Sequence, residues 1–170
     1  WIDFMYVGDK DDENLDFKEG EIYNFIKTSA ERGCLPSFYE VALCEANFNN
    51  TEKEGYWYKK GAELGDIKGF VSYALWLSSV KHNKQEAIYW LKKAVNSSNL
   101  SFYLEHQDIK KYGMETVDDI KKLLYCVEHD IPVPLFSGTK EQFEECFRKV
   151  SEQMSSSSTN IPHSSNSYSN

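Results

Sequence analysis

Few side chains in this sequence have the types and spacing that chemistry requires. Residues 128–130 read Glu-His-Asp, a set of groups able in principle to bind a metal or transfer a proton, but we interpret them as the scattered polar residues of a helix end. The remaining histidines, His82, His106 and His163, have no companion pattern. The motifs G-x-S-x-G and H-E-x-x-H, the phosphate-binding loop and the dinucleotide fingerprint are all absent from the sequence. We therefore expect no catalytic residue, no metal site and no cofactor.

The cysteines also lack the spacing of a metal site. Cys34, Cys44, Cys126 and Cys146 form no C-x-x-C pair, and no histidine lies at zinc-finger spacing from them. A small, weakly polar thiol is commonly found in a protein core. We expect buried free thiols instead of a disulfide framework.

Charge and composition exclude several classes of partner. The 170 residues include 19 basic and 27 acidic side chains, which gives a net charge of −8. Such a chain has no concentrated basic face for nucleic acid or an anionic membrane. No apolar run approaches the ~18 residues of a membrane helix, so we expect no membrane insertion. Hydrophobic residues at 41% and charged residues at 27% are typical of a folded globular chain. The oligomeric state stays open, with a monomer favoured.

The two ends of the chain differ from its middle. Residues 1–16 form an acidic segment that we interpret as an irregular lead-in, and Ser155–Asn170 is a Ser/Asn-rich segment too polar to offset its ordering entropy. We predict a disordered tail there. The chain starts at Trp1 instead of Met, which we interpret as an N-terminus that was processed or trimmed. The cytoplasm is the favoured compartment, with the periplasm and secretion as alternatives.

Between these ends, similar residues recur every 32 positions. The recurring positions are Ala30, Ala62 and Ala94; Gly33 and Gly65; Phe38, Phe70 and Phe102; Ala42 and Ala74; and Ile26, Tyr58 and Trp90. A fixed period of this length indicates a solenoid of stacked repeats. The small residues fit where two helices cross closely, and the aromatic residues fill the space beside them.

Apolar residues at steps of three and four predict paired helices within each repeat. We predict helices over about 17–32, 36–48, 51–64, 67–80, 84–96, 100–112, 116–129 and 139–154, with an extended linker at 131–138. The last helix would cap the array. The predicted fold is therefore all-α: a right-handed α-solenoid of about three helix-turn-helix repeats over 17–154, with flanking N- and C-terminal helices.

The string EAIYWLKKA at 86–94 resembles the second helix of the Sel-one-like repeat, a relative of the tetratricopeptide repeat. The segment WYKKGAELGD at 57–66 is similar, and Gly69, Tyr73 and Ala74 follow where the family places a small residue, a large apolar residue and a glycine. The resemblance spans about 26–127 and departs from the pattern in the third unit. It implies an α-solenoid that binds other proteins.

The resemblance also implies that the first helix of each pair lines a concave face. Nine positions on these helices are not assigned to the core by the repeat: Tyr39, Glu40, Leu43, Val71, Ser72, Leu75, Tyr103, Leu104 and Gln107. Tyrosine and apolar side chains grouped on one face are typical of a partner surface, unless the C-terminal helix folds back over them. We therefore predict a non-catalytic scaffold or adaptor that binds another protein through this face.

Two other interpretations stay open. A small acidic helical protein is also suited to be an immunity-type inhibitor that neutralises a bacterial toxin or effector by electrostatically steered binding. The chain is alternatively a structural domain of a longer repeat array.

The aromatic residues Trp57, Tyr58, Tyr89 and Trp90 could form a stacking platform for a sugar or base, but the repeat predicts that they lie in the core.

Overall fold

The computed structural model describes residues 19–100, 116–133 and 140–158, and throughout these ranges the regular elements are α-helices. They are α1 (Glu19–Glu31), α2 (Leu35–Asn47), α3 (Thr51–Glu63), α4 (Ile67–Ser79), α5 (Lys84–Val95), α6 (Val117–Glu128) and α7 (Lys140–Ser158). The predicted all-α class is confirmed. The predicted helix at 100–112 falls almost wholly outside the described residues, as do the lead-in at 1–16 and the last twelve residues of the tail, 159–170.

The chain divides into two compact units, Trp1–Gly69 and Phe70–Asn170, whose boundary falls inside α4. In the first unit, α1 packs on α2 and α2 packs on α3. In the second unit, α5 packs on α6 and α6 packs on α7. The sequence predicted one continuous helical domain over 17–154.

Positions of the 32-residue pattern supply much of the core of each unit. The small residues of the pattern are almost completely inaccessible to solvent. They suit places where two helices cross closely, because a larger side chain there would separate the helices. Side chains that are at most 7% exposed include Ala30, Phe38, Ala42, Tyr58 and Ala62 in the first unit and Phe70, Ala74, Trp90 and Ala94 in the second.

Helices α1 and α3 end in the same way. Gly33 and Gly65 have φ angles of 87° and 88°, in the left-handed region that favours glycine. Each glycine N–H donates to the carbonyl three positions earlier, and the next residue, Cys34 or Asp66, donates to the carbonyl five positions earlier. These bonds satisfy carbonyl groups that the end of a helix leaves without partners. The recurring glycine therefore stops both helices by the same physical means.

Tyr89 departs from the predicted core. Trp57, Tyr58 and Trp90 are buried, but Tyr89 is 52% exposed, so its prediction as a core residue is wrong. The connection before α5 (80–83) has one residue more than the connection before α3 (48–50), so the start of α5 follows the start of α3 by 33 residues instead of 32. Tyr89 thereby takes the position of Tyr56, which is also 52% exposed. Because α5 is one residue shorter than α3, the spacing of 32 returns at the helix ends.

Helix α7 continues further than the composition predicted. It runs to Ser158, so the predicted disordered tail is wrong for 155–158. The hydroxyl groups of Ser155 and Ser156 each donate to the carbonyl four positions earlier, at 2.8 Å. Serine is a poor helix former in general, and a serine hydroxyl within a helix commonly bonds to the carbonyl four positions earlier, as both do here.

One carboxylate is buried in the first unit, where it joins three helices. Glu45 on α2 is 2% exposed. Its Oε1 accepts from the Tyr23 hydroxyl of α1 at 2.6 Å, and its Oε2 accepts from Nδ2 of Asn50, which precedes α3, at 2.8 Å. Burial and this contact with Glu45 raise the pKa of Tyr23 to about 12. The carboxylate therefore fixes the two neighbouring helices to α2 by direct bonds.

A candidate binding cleft in the second unit

The predicted partner-binding residues of the first unit lie on α2 and are already engaged within that unit. Tyr39, Glu40 and Leu43 are half-buried. Lys68 Nζ lies 3.6 Å from the centre of the Tyr39 ring and 3.8 Å from Glu40 Oε1. The Tyr39 ring also packs on Tyr58, with ring centres 5.8 Å apart. These contacts fix the orientation of Tyr39 before any partner arrives.

The predicted residues of the second unit lie on α4. Val71 is 8% exposed, so its side chain belongs to the core instead of the accessible face that the sequence predicted. The reason is that α4 is apolar around most of its circumference and is therefore buried on several sides. Ser72 and Leu75 are half-buried. The remaining three, Tyr103, Leu104 and Gln107, lie outside the described residues.

Leu75 lines a cleft of about 390 Å³ in the second unit. Its walls come from the end of α4, the connection to α5, the start of α5, the end of α6 and the segment that follows α6. The lining residues are Leu75, Ser78, Ser79, His82, Lys84, Cys126, Val127, Asp130, Ile131, Pro132 and Val133. The predicted surface therefore contributes one side chain to a larger site that the sequence did not reveal.

The cleft combines an apolar lining with a polar rim. Leu75, Val127 and residues 131–133 provide the apolar part. Ser79 lies at the end of α4, and its hydroxyl donates to the Leu75 carbonyl at 2.8 Å. Such a mixture suits a ligand that inserts an apolar group and leaves polar atoms at the entrance.

An ion pair joins two walls of the cleft. Lys84 Nζ, at the start of α5, lies 2.6 Å from Asp130 Oδ2, just after α6. The Lys84 side chain is 34% exposed and the Asp130 side chain is 77% exposed. An exposed pair of this kind adds less than about 1 kcal/mol to stability. Its larger contribution here is to place a solvent-accessible carboxylate at the rim.

Two residues at the rim of the cleft have a backbone conformation that suits their side-chain types. His82 and Asp130 have φ angles of 52° and 57° in the left-handed region, which His, Asn and Asp enter more readily than other non-glycine residues. At the end of α6, the Ile131 N–H donates to the Cys126 carbonyl at 2.9 Å. This hydrogen bond reverses the direction of the chain after α6 and brings residues 131–133 to the cleft.

The three polar groups at 128–130 have separate partners. Lys92 lies 3.0 Å from Glu128, and Lys84 pairs with Asp130. His129 Nδ1 lies 2.9 Å from the Tyr125 carbonyl, and the His129 ring stacks on the Tyr125 ring. In the part of the chain that the structure describes, no group of three or more His, Cys, Asp or Glu residues is placed to hold a metal ion. Nor is any helix in the described ranges both long and apolar enough to cross a membrane.

Comparison with protein-family models, with curated proteins and with solved structures found no match. The resemblance to the Sel-one-like repeat therefore depends on the residues at 26–127 alone. Sequence reasoning missed His82, Lys84 and Asp130 as neighbours because the first two precede or begin α5 and Asp130 follows α6, far along the chain. The local signal at His82 and Asp130 is that His and Asp enter the left-handed region more readily than most residues.

Proposed function

We propose that this protein binds a segment of another protein and that the cleft around Leu75 is the point of contact. The observation that carries this proposal is the position of Leu75, which the repeat assigns to a partner-facing helix and which lines an accessible, partly apolar cleft. An apolar side chain in a cleft with a polar rim suits the insertion of one apolar side chain of a partner.

The size and charge of the site define the partner segment. A volume of about 390 Å³ is at the lower end for ligand sites and accommodates one or two side chains. The apolar lining of the cleft favours an aliphatic or aromatic residue in the partner segment. The net charge of −8 and the exposed Asp130 carboxylate favour a basic residue beside it. Association should accordingly slow as salt concentration rises.

Local features support a repeat architecture for this binding protein. Helices α2 and α4 each have 13 residues and start 32 positions apart, at Leu35 and Ile67. The recurrent glycine ends of α1 and α3 are consistent with the same repeat. We propose that the repeats stack into a right-handed α-solenoid and that α2 and α4 contribute to its concave side.

A substitution at Leu75 tests the proposed contact. Leu75→Asn should weaken the complex with the captured partner by about tenfold or more, because burying a leucine contributes about 1.5–3 kcal/mol. The partner is first isolated by affinity capture from the native host with the unaltered chain, and its dissociation constant for purified variants is then measured by calorimetry.

Leu64→Asn is the matched control, because Leu64 is 55% exposed at the end of α3 and does not line the cleft. Its affinity should stay unchanged. Equal affinities for the two variants, with the helical signal of both intact, would contradict the assignment of the cleft.

A further inference from the structure

An aromatic side chain is exposed on α1, at a position where its counterparts in the repeat are buried. Phe25 is the seventh residue of α1 and is 77% exposed. Trp57 and Trp90 are the seventh residues of α3 and α5, and each is only 7% exposed. The same position of the repeat is therefore buried twice and open once.

Each of the two tryptophans is covered by an aromatic residue of the helix that precedes it. Phe38 is the fourth residue of α2, and its ring centre lies 6.1 Å from that of Trp57. Phe70 is the fourth residue of α4, and its ring centre lies 5.6 Å from that of Trp90. Because this contact is present in both units, it indicates what is missing at Phe25, which is an aromatic residue from the preceding part of the chain.

The sequence has an aromatic residue at the required position. Tyr6 lies 32 positions before Phe38, just as Phe25 lies 32 positions before Trp57. We propose that residues 6 and 7 of this chain pack on α1 as an incomplete first repeat, with the Tyr6 ring against the Phe25 ring. An aromatic pair of this kind gains from burial and from the geometry of the two rings. The covered face of α1 then excludes a second copy of the chain or another protein.

A second pair of positions follows the same register. Tyr58 of α3 is 4% exposed and packs on Tyr39 of α2, with ring centres 5.8 Å apart. The residues 32 positions earlier are Ile26, which is only half-buried, and Val7. The register therefore assigns an apolar residue of the chain before α1 to each of two incompletely buried side chains of that helix.

The match to the repeat stops after residue 7. Asp9 and Lys10 lie 32 positions before Val41 and Ala42, which are completely buried in α2. Charged side chains at these positions would lose their hydration if they were buried without partners. The proposed contact is therefore limited to the residues before Gly8. Residues 8–18 are a short connection to α1, so closing it costs little entropy.

Photo-cross-linking in the full-length protein tests the contact directly. A benzophenone amino acid replaces Tyr6, the protein is irradiated in dilute solution, and linked peptides are identified by mass spectrometry. We expect a link within one molecule from position 6 to residues 22–29 of α1. A link between two copies would overturn the proposal and assign the face to a dimer. Links to other helices alone, or no link, would overturn it as well.

Thermal unfolding tests the register of the contact. Tyr6→Ala should lower the melting temperature by about 3 °C, because it removes the ring that covers Phe25. In a Phe25→Ala background, the same substitution should have no further effect. Circular dichroism measures the melting temperatures of the four proteins.

Phe4→Ala is the matched control in the same segment. The residues 32 and 64 positions after Phe4 are Pro36 and Lys68, which are exposed and half-buried, so this substitution should leave the melting temperature unchanged. Equal effects of Phe4→Ala and Tyr6→Ala, or an effect of Tyr6→Ala that persists without Phe25, would contradict the proposed pairing. None of these outcomes depends on whether the cleft binds a partner.

Discussion

Replacing Gly69 with alanine is expected to lower the free energy of unfolding by about 3 kcal/mol. A Cβ atom at this position of α4 would lie 2.5 Å from the backbone nitrogen of Ala62 and 2.7 Å from the carbonyl carbon of Gly61. Both atoms belong to the backbone of α3 and cannot rotate away, so the backbone at Gly69 would have to move away from α3. Urea unfolding followed by circular dichroism measures the loss.

Gly20→Ala is the matched control for this prediction. Gly20 lies in the first turn of α1, and a Cβ built there meets nothing within 4 Å. Alanine should therefore leave stability unchanged or raise it by up to about 1 kcal/mol, since alanine is the better helix former. If Gly69→Ala unfolded at the same urea concentration as Gly20→Ala, the close approach of Gly69 to α3 would be contradicted.

Removing the buried carboxylate with Glu45→Ala should cost about 2 kcal/mol of stability. The Tyr23 hydroxyl and the Asn50 amide would lose their acceptor, and the helices on either side of α2 would lose the bonds that join them. The same substitution at Glu40 provides the control, because that residue is on the same helix and makes a partly exposed ion pair with Lys68 at 3.8 Å. Glu40→Ala should change stability by less than about 1 kcal/mol. Equal losses for the two variants would contradict the role assigned to Glu45.

The pH dependence of stability provides an independent check on the bond between Tyr23 and Glu45. With a pKa raised to about 12, folded Tyr23 keeps its proton above pH 10, where the unfolded chain has lost it. The folded state then binds more protons, so the free energy of unfolding falls as pH rises from 10 to about 12. Tyr23→Phe should remove the part of this decrease in the free energy of unfolding that comes from Tyr23. The decrease caused by other groups should remain.

Helix positions in the described ranges were largely predictable from the sequence. Six of the seven helices lie within two residues of the predicted bounds at both ends, because apolar spacing, caps and terminal glycines are local signals. The burial of Ala30, Ala62 and Ala94 was predictable as well, since a repeated small residue reflects a repeated close crossing. Only the C-terminal end of α7 differed by more, because the serine-rich composition predicted disorder at 155–158, where the helix continues.

Features that depend on contacts between distant residues were not predictable. Glu45 is acidic, and its burial is compensated by Tyr23, which is 22 positions earlier in the chain. Tyr89 became exposed because the preceding connection is one residue longer than its counterpart. The cleft required Lys84 and Asp130 to meet, and a period read along the chain gives no information on that pairing.

The proposed partner contact is tested most directly by photo-cross-linking. A benzophenone amino acid placed at Ser79, on the rim of the cleft, is compared with the same residue placed at Tyr89, which is 52% exposed on α5 and outside the cleft. The cleft assignment predicts a covalent adduct with the captured partner from position 79, lost in the Leu75→Asn background, and none from position 89. An adduct from position 89 without one from position 79 would contradict it.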